Sequence, residues 1–428
     1  MSNQSQSKGN VLAIGVCFAL FFMIAFVTNF AGAMGPILKN QFGASNMASQ
    51  LGSAANFFAY FFMGIPGGLI LKRKGYKFTS LLAAAVGFLG VGVQLAAAYC
   101  GKESAFSVYV AGAFVAGFSM CLLNLVVNPL LNTLGGGGNK GNQLVQFGCS
   151  LNSIGATLSP MILGWLVGGE VAKAHVGQAV PALVIAMAIF VVAFVVIAFS
   201  QIPEPHLETA AERANRPSVL KDIAETLKFR HFTLGAVAIF TYIVIESGIP
   251  NMAMLYMTTE KINGVANPAY VGSVVAGSVC GAYWFCMMIG RLAGGALGAK
   301  ISSRVMISVC AVFGIALMLA AMFLPVKMVS VCGKEFPLAM CAMALCGLFT
   351  SVMWGGIFNM AAEGLGKYVP MGSGIFMAMV VGGLLLPVQG FVADKFGILN
   401  SYWMTIALFA YVLFYALIGS HVTKRADA

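Results

Sequence analysis

The chain has 428 residues, 60% of them hydrophobic and only 9% charged, with 24 Lys and Arg against 13 Asp and Glu. Soluble domains average about 25% charged residues, so an ordinary globular protein is excluded. Membrane helices need about 20 apolar residues each, and this composition suits about twelve of them with almost no soluble domain. The net charge of +11 does not point to nucleic acid. The cations sit in short loops between apolar runs and read as determinants of membrane orientation.

In chain order, apolar runs predict spans near 11–33, 48–70, 78–99, 107–132, 144–168 and 180–201, then 232–257, 270–295, 301–324, 337–362, 370–393 and 399–420. The first run is too long for a signal-peptide core and reads as a retained span. A mixed-charge segment over 203–231 separates six spans from six. The expected organisation is a six-helix bundle over 1–202, a cytoplasmic linker over 203–231 and a second six-helix bundle over 232–428. With a cytoplasmic N-terminus, 17 of the 24 Lys and Arg fall on the inner side, from Lys8, Lys72, Arg73, Lys74 and Lys77 through Arg304 to Lys424 and Arg425. The positive-inside rule therefore places both termini in the cytoplasm.

The halves repeat weakly. Phe118-Ser119, Asn128 and Leu134-Gly135 correspond to Phe349-Thr350, Asn359 and Leu365-Gly366 at an offset of 231. Gly155 and Pro160 correspond to Gly382 and Pro387 at 227, as do Gly67-Gly68 and Gly294-Gly295. Duplicated six-helix halves of this kind are a transporter plan. The 51 Gly, many in pairs, let helices approach and slide, and Asn128-Pro129 and Pro250 favour kinks. The ten Cys lack metal-ligand spacing and read as packing residues, with no metal or cofactor implied. Cys100 and Cys332 fall near predicted outer loops and could pair in an oxidising compartment. The Gly135–Gly138 run lacks the Lys-Ser/Thr of a phosphate-binding loop.

Polar side chains within a span are costly and each needs a reason. Asn124, Asn128 and Asn132 share one helical face at four-residue spacing. They are either glue between helices or a stripe lining a central path, where an amide offers both the donor and the acceptor that sugar hydroxyls require. Asn29, Asn56, Gln94, Asn152, Asn251 and Gln389 add further intramembrane amides, with Gln146 near a span end. A site rich in amides and poor in charge suits a neutral polyhydroxylated ligand. Glu246 is the carboxylate deepest in a span, while Glu363 and Asp394 sit at span ends. It can exchange a proton, hold a cation, or simply bond to Tyr242 one turn away. Arg291 reads as a gating or capping residue toward the cytoplasmic helix ends, and Trp284 and Trp354 as sugar-stacking or plain packing aromatics.

Several stretches resemble the fucose permease and glucose/galactose transporter family of the major facilitator superfamily. They are IFNMAAEGLGKYVPMGSGIFMAMVVGGLLLPVQGFVADKFG from Ile357 to Gly397, NFFAYFFMGIPGGLILKRKGYK from Asn56 to Lys77, NPLLNTLG at 128–135, LNSIG at 151–155 and IGRLAGG at 289–295. The resemblance implies an all-α membrane protein with twelve transmembrane helices in two pseudo-symmetric bundles. It also implies a bacterial inner-membrane transporter, not an enzyme, that imports a monosaccharide by alternating access. The expected sugar site is Asn29, Asn124, Asn128, Asn152, Glu246, Asn251, Trp284, Trp354, Asn359 and Gln389. The positions of the two acids of the fucose–proton type are Gly32 and Asn124 here, whereas Glu246 matches an acid of the glucose/galactose branch. Coupling, by H⁺ or a transiently bound Na⁺, is therefore expected to run through Glu246. The expected partners are the sugar, the coupling cation and the lipid bilayer, with the chain a monomer. The alternatives are an uncoupled sugar facilitator, an exporter of a related solute, and a non-transporting sugar sensor.

Overall fold

The computed structural model describes residues 3–135, 138–168, 176–204, 219–262, 264–297, 301–331, 334–365 and 368–423. Within them the chain is helical apart from two short hairpins. The N-terminal portion comprises α1 (Asn3–Ala33), α2 (Gly35–Phe42), α3 (Asn46–Ser49), α4 (Leu51–Ala96), α5 (Lys102–Leu134), α6 (Gly138–Leu166) and α7 (Val180–Phe199). After α8 (Val219–Leu227) come α9 (Arg230–Thr258), α10 (Ser273–Leu297), α11 (Ser303–Phe323), α12 (Leu338–Thr350), α13 (Met353–Ala362), α14 (Val369–Ala378), α15 (Leu386–Phe396) and α16 (Tyr402–Phe414). The hairpins, β1 (Lys261–Ile262) with β2 (Val265–Ala266) and β3 (Met328–Val331) with β4 (Lys334–Pro337), are antiparallel and close two interhelical turns.

Among the described residues, eleven helical stretches are long and apolar enough to cross a membrane. The twelfth expected span is α6, a continuous helix of 29 residues, about 43 Å at 1.5 Å per residue. Its length suffices, but its Asn, Gln, Gly and Ser residues dilute the apolar run. The first span continues beyond Ala33 to Phe42, because Pro36 lies in the first turn of α2, where its missing N–H leaves no bond unmade. Cys332 and linker residues 205–218 lie outside the described residues, as do the side chains of Asn132 and Gln146. Cys100 is exposed and free. The outside of the bundle is apolar, as lipid requires, with Val191, Val192, Val195 and Val196 of α7 all exposed.

Two breaks shape the long helices. α4 folds back at Gly75, whose φ of +85° and ψ of 176° split it into two spanning arms, Leu51–Leu71 and Arg73–Tyr99. Between α14 and α15 the backbone tightens into a 3₁₀ turn over Met379–Leu385. A Cβ on Gly382 would collide there with the Phe240 carbonyl of α9, so only glycine lets the helices meet.

The duplicated pattern in the sequence reappears as duplicated contacts. Gly155 of α6 presses on the Phe22 carbonyl of α1 as Gly382 presses on the Phe240 carbonyl. Lys77 Nζ donates to the Ser200 carbonyl at 2.9 Å, while Arg304, 227 positions later, donates from Nε to Ser420 Oγ at 3.2 Å. Two seams then join the earlier helices to the later ones. Along one, α6 lies against α10, with Gly277 against the Pro160 carbonyl and Gly281 against Met161. Along the other, the first arm of α4 lies against the α14–α15 stretch, with Gly64 against Ala378 and Phe57 against Gly383.

The Gly75 turn has a second constraint. The Glu204 carboxylate, just beyond the end of α7, accepts from the backbone N–H of Tyr76 and of Lys77, and a Cβ on Gly75 would overlap it. Gly75→Ala therefore combines a strained φ with lost charge-assisted bonds. We expect it to cost about 1–3 kcal/mol and to lower the melting temperature in detergent, whereas Gly68→Ala, which meets nothing within 4 Å, leaves it unchanged. Equal melting of the two variants would contradict this reading of the turn.

Candidate functional site: a buried carboxylate–guanidinium pair

Glu246 stands near the middle of α9. Tyr242, one turn earlier on the same face, donates from its hydroxyl to Glu246 Oε1 at 2.8 Å, as the four-residue spacing allows. The same oxygen accepts from Arg291 Nη2 of α10 at 3.2 Å. Arg291 is 8% exposed. Its Nη1 donates to the Cys149 carbonyl and to Ser153 Oγ of α6, both at 2.8 Å. Glu246 is therefore not a solitary acid, and Arg291 does more than cap helix ends. In an apolar bundle each charge would be prohibitive alone, and the pair is tolerable because it is matched and hydrogen-bonded. Sequence reading did not join the two because they lie 45 positions apart on different helices. The available signal was general: opposite charges embedded in neighbouring apolar runs seek each other.

Around this pair lie more groups. Tyr60, Tyr283 and Cys149 are within electrostatic reach of Glu246. Tyr60, on the first arm of α4, accepts from Asn124 Nδ2 of α5 at 2.9 Å, which ties that amide to the cluster. Trp354 of α13 packs on Tyr242 with ring centroids 6.3 Å apart and on Phe376 at 5.4 Å. Tyr283 meets Thr350 Oγ1 at 3.1 Å.

A second group lies nearer the α2–α3 end. Asn29, Asn251 and Trp284 line a cavity of about 10 Å³ together with Pro160, Pro250 and Cys280, space for about one water. Asn251 Nδ2 donates across to Gln50 Oε1 at 3.2 Å and Ser53 Oγ at 3.4 Å, while Trp284 stacks edge-on against Tyr283 at 5.1 Å. The other expected residues are not gathered here. Asn128 Nδ2 donates back to the Asn124 carbonyl, and Asn152 Nδ2 to the Phe21 carbonyl. Gln389 Nε2 donates to Thr405 of α16, and Asn359 is exposed. One amide outside the expected set stands out. Asn56 is 1% exposed, yet among the described residues neither its Nδ2 nor its Oδ1 has a hydrogen-bond partner, a state that native interiors seldom tolerate.

Residues 16–385 match the family described as Major Facilitator Superfamily. The chain belongs to that superfamily. Its members are transporters rather than enzymes. The chain is 27% identical over 420 residues to the glucose/galactose transporter of Brucella abortus, covering 97% of this chain and 96% of that one. It is 22% identical over 444 residues to the L-fucose-proton symporter of Escherichia coli, covering 98% and 96%. The crystal structure of the superfamily transporter FucP in the outward conformation superposes with a TM-score of 0.69 at 21% identity, covering 97% of this chain and all of that one. That likeness shows the fold.

For a superfamily transporter, contacts that close one end of the bundle matter as much as the centre. At the α2–α3 end, Asp394 of α15 accepts from the N–H of Asn46 at 2.8 Å and of Met47 at 3.0 Å, capping the start of α3. Gly390, one turn earlier, lets the two backbones touch. Lys39 Nζ reaches Thr259 Oγ1 at 3.5 Å beside them. Asp394→Ala removes two charge-assisted bonds, enough to shift a balanced opening equilibrium about tenfold. With Cys100 replaced by Ser, a Ser53→Cys probe is expected to react about tenfold faster with an impermeant thiol reagent when Asp394→Ala is added. An unchanged rate would show that this clasp does not hold the end shut.

Proposed function

We propose that the chain imports a hexose-like monosaccharide across a bacterial inner membrane by alternating access, with a cation coupled at Glu246. The observation that carries the reading is the end-to-end likeness to the Brucella glucose/galactose transporter, joined to a mid-membrane carboxylate set among amides and aromatics. On this reading 1–202 and 232–428 are the two rocking bundles and 203–231 their linker. Lys74, Lys77, Lys228, Arg230 and Arg304 stand at helix ends remote from the Asp394 clasp, beside which lie Lys39 and Lys395; with this bias the positive-inside rule makes the clasp end periplasmic and both termini cytoplasmic.

The sugar would sit between the bundles. Asn29, Asn124, Asn251 and Asn56, which has no side-chain partner among the described residues, offer donors and acceptors to hydroxyls, and Trp284 and Trp354 offer flat faces to ring C–H groups. Asn128, Asn152, Asn359 and Gln389 join as the helices shift. The cavity beside Asn29 is far smaller than a hexose, so the seams must part before sugar enters, and binding then biases the equilibrium between the two packings.

One observation favours a second reading, an uncoupled facilitator. Glu246 and Arg291 already neutralise one another, so a resting site needs no added cation. Proteoliposomes loaded with inner buffer and given labelled galactose or glucose decide between them. Coupled import predicts accumulation above the outside concentration when a cation gradient is imposed, and equilibration alone supports the facilitator. Glu246→Gln is expected to lower accumulation at least tenfold while sparing sugar exchange; undiminished accumulation would remove Glu246 from coupling.

A further inference from the structure

The cavity shared by Asn29, Asn251 and Trp284 has a size and a polarity that a whole sugar does not match but one part of a sugar does. It lies where α1 and α6 face α9 and α10, since Asn29 comes from α1, Pro160 from α6, Pro250 and Asn251 from α9, and Trp284 from α10. Asn251 stands five residues past Glu246 toward the clasp end, about 7.5 Å along the helix. At about 10 Å³ the space admits one water-sized group.

The two amides arrive with their donors engaged. Asn251 Nδ2 donates to Gln50 Oε1 and Ser53 Oγ, and Asn29 Nδ2 turns back to the Ala25 carbonyl at 2.9 Å. What each amide keeps is its Oδ1, which accepts no hydrogen bond among the described residues. The Trp284 indole N–H is likewise without a hydrogen-bond partner among them. Pro160 and Pro250 bring rings with no N–H, and Met254 adds an apolar wall. Two acceptors and one donor around a water-sized space are the complement of a hydroxyl, which gives one hydrogen and takes up to two. A hydroxyl set directly on a pyranose ring would drag ring carbons into that space. An exocyclic CH₂OH arm holds its oxygen one carbon further out, with its methylene against the proline and methionine walls.

We propose that this niche takes the exocyclic primary hydroxyl of a hexopyranose, and that Asn29 and Asn251 thereby select sugars with a CH₂OH arm over their 6-deoxy counterparts. In a 6-deoxy sugar a methyl group meets the two amide oxygens and displaces their water without replacing its bonds. A site built to bond a hydroxyl discriminates strongly against the analogue that lacks it. The ring itself lies on the Glu246 side of the niche, in the space made when the seams part. The inference rests on the transport reading above and narrows the sugar that it names.

The test is competition in proteoliposomes, with labelled galactose entering against unlabelled galactose or 6-deoxygalactose. The wild type is expected to need at least about tenfold more 6-deoxygalactose than galactose for half-inhibition. In Asn251→Leu and in Asn29→Leu, which keep the volume and remove an acceptor, that ratio is expected to fall to about threefold or less. A ratio taken within one variant does not depend on how much of the chain folds or how fast it turns over. For a variant too slow to assay, the same ratio is read from the shift in melting temperature that each sugar gives the purified chain. Equal competition by the two sugars in the wild type overturns the proposal, as does a wild-type ratio in both variants. A wild type that neither transports nor is stabilised by any hexose refutes the sugar reading and the niche with it. Hexoses that bind well with no preference for the arm refute the niche alone.

Discussion

A guanidinium in the apolar interior of a membrane bundle has to be given a counter-charge and enough acceptors, and that requirement organises the centre of this protein. Arg291 meets it with one carboxylate, one backbone carbonyl and one hydroxyl. The three acceptors come from two helices, so the same bonds that make the charge tolerable also fasten α6 to α10. The pair thereby turns a local electrostatic necessity into a link between the earlier and later parts of the chain. Tyr242, bonded to the same carboxylate oxygen, fixes the acid's direction, and Tyr60 extends the cluster to Asn124.

Glycine sets how closely the helices meet. Along both seams glycine meets backbone, as at Gly277 against Pro160 and Gly64 against Ala378, and larger side chains, as at Gly281 against Met161 and Gly383 against Phe57. Such seams rely on dispersion between close surfaces. Surfaces of this kind can part and re-form at little cost, provided a few polar clamps decide when. The Asp394 bonds to α3 act at one end and the Arg291 bonds to α6 toward the other.

Much of the fold was legible in the sequence because span length and apolar runs are local properties. Offsets read from paired glycines foresaw a repeat, and the packing of Gly155 and Gly382 on equivalent carbonyls gives it a physical form. The Tyr242–Glu246 bond was legible because both residues sit on one helix four apart. What the sequence did not disclose depends on distant partners. Arg291 finds Glu246, Asp394 finds the start of α3, and Glu204 finds the turn at Gly75 only once the helices are assembled. Amides posed a different problem. An Asn in a helix looks the same whether it awaits a ligand or bonds to a carbonyl, and Asn29, Asn124, Asn128 and Asn152 all bond to carbonyls here. The fifth span, expected at 144–168, is α6, whose Asn, Gln, Gly and Ser residues leave it less apolar than the other spans.

The account depends most on the mutual dependence of Glu246 and Arg291, and a double-mutant cycle by thermal unfolding in detergent measures it directly. Removing one partner leaves a buried charge uncompensated, so Arg291→Met and Glu246→Gln alone should each cost up to about 3–5 kcal/mol. The combined variant should recover most of that loss, with a coupling energy well beyond the few tenths that separate independent sites. Two single effects that simply add would show that the charges do not depend on one another, and the clamp between α6 and α10 would lose its basis.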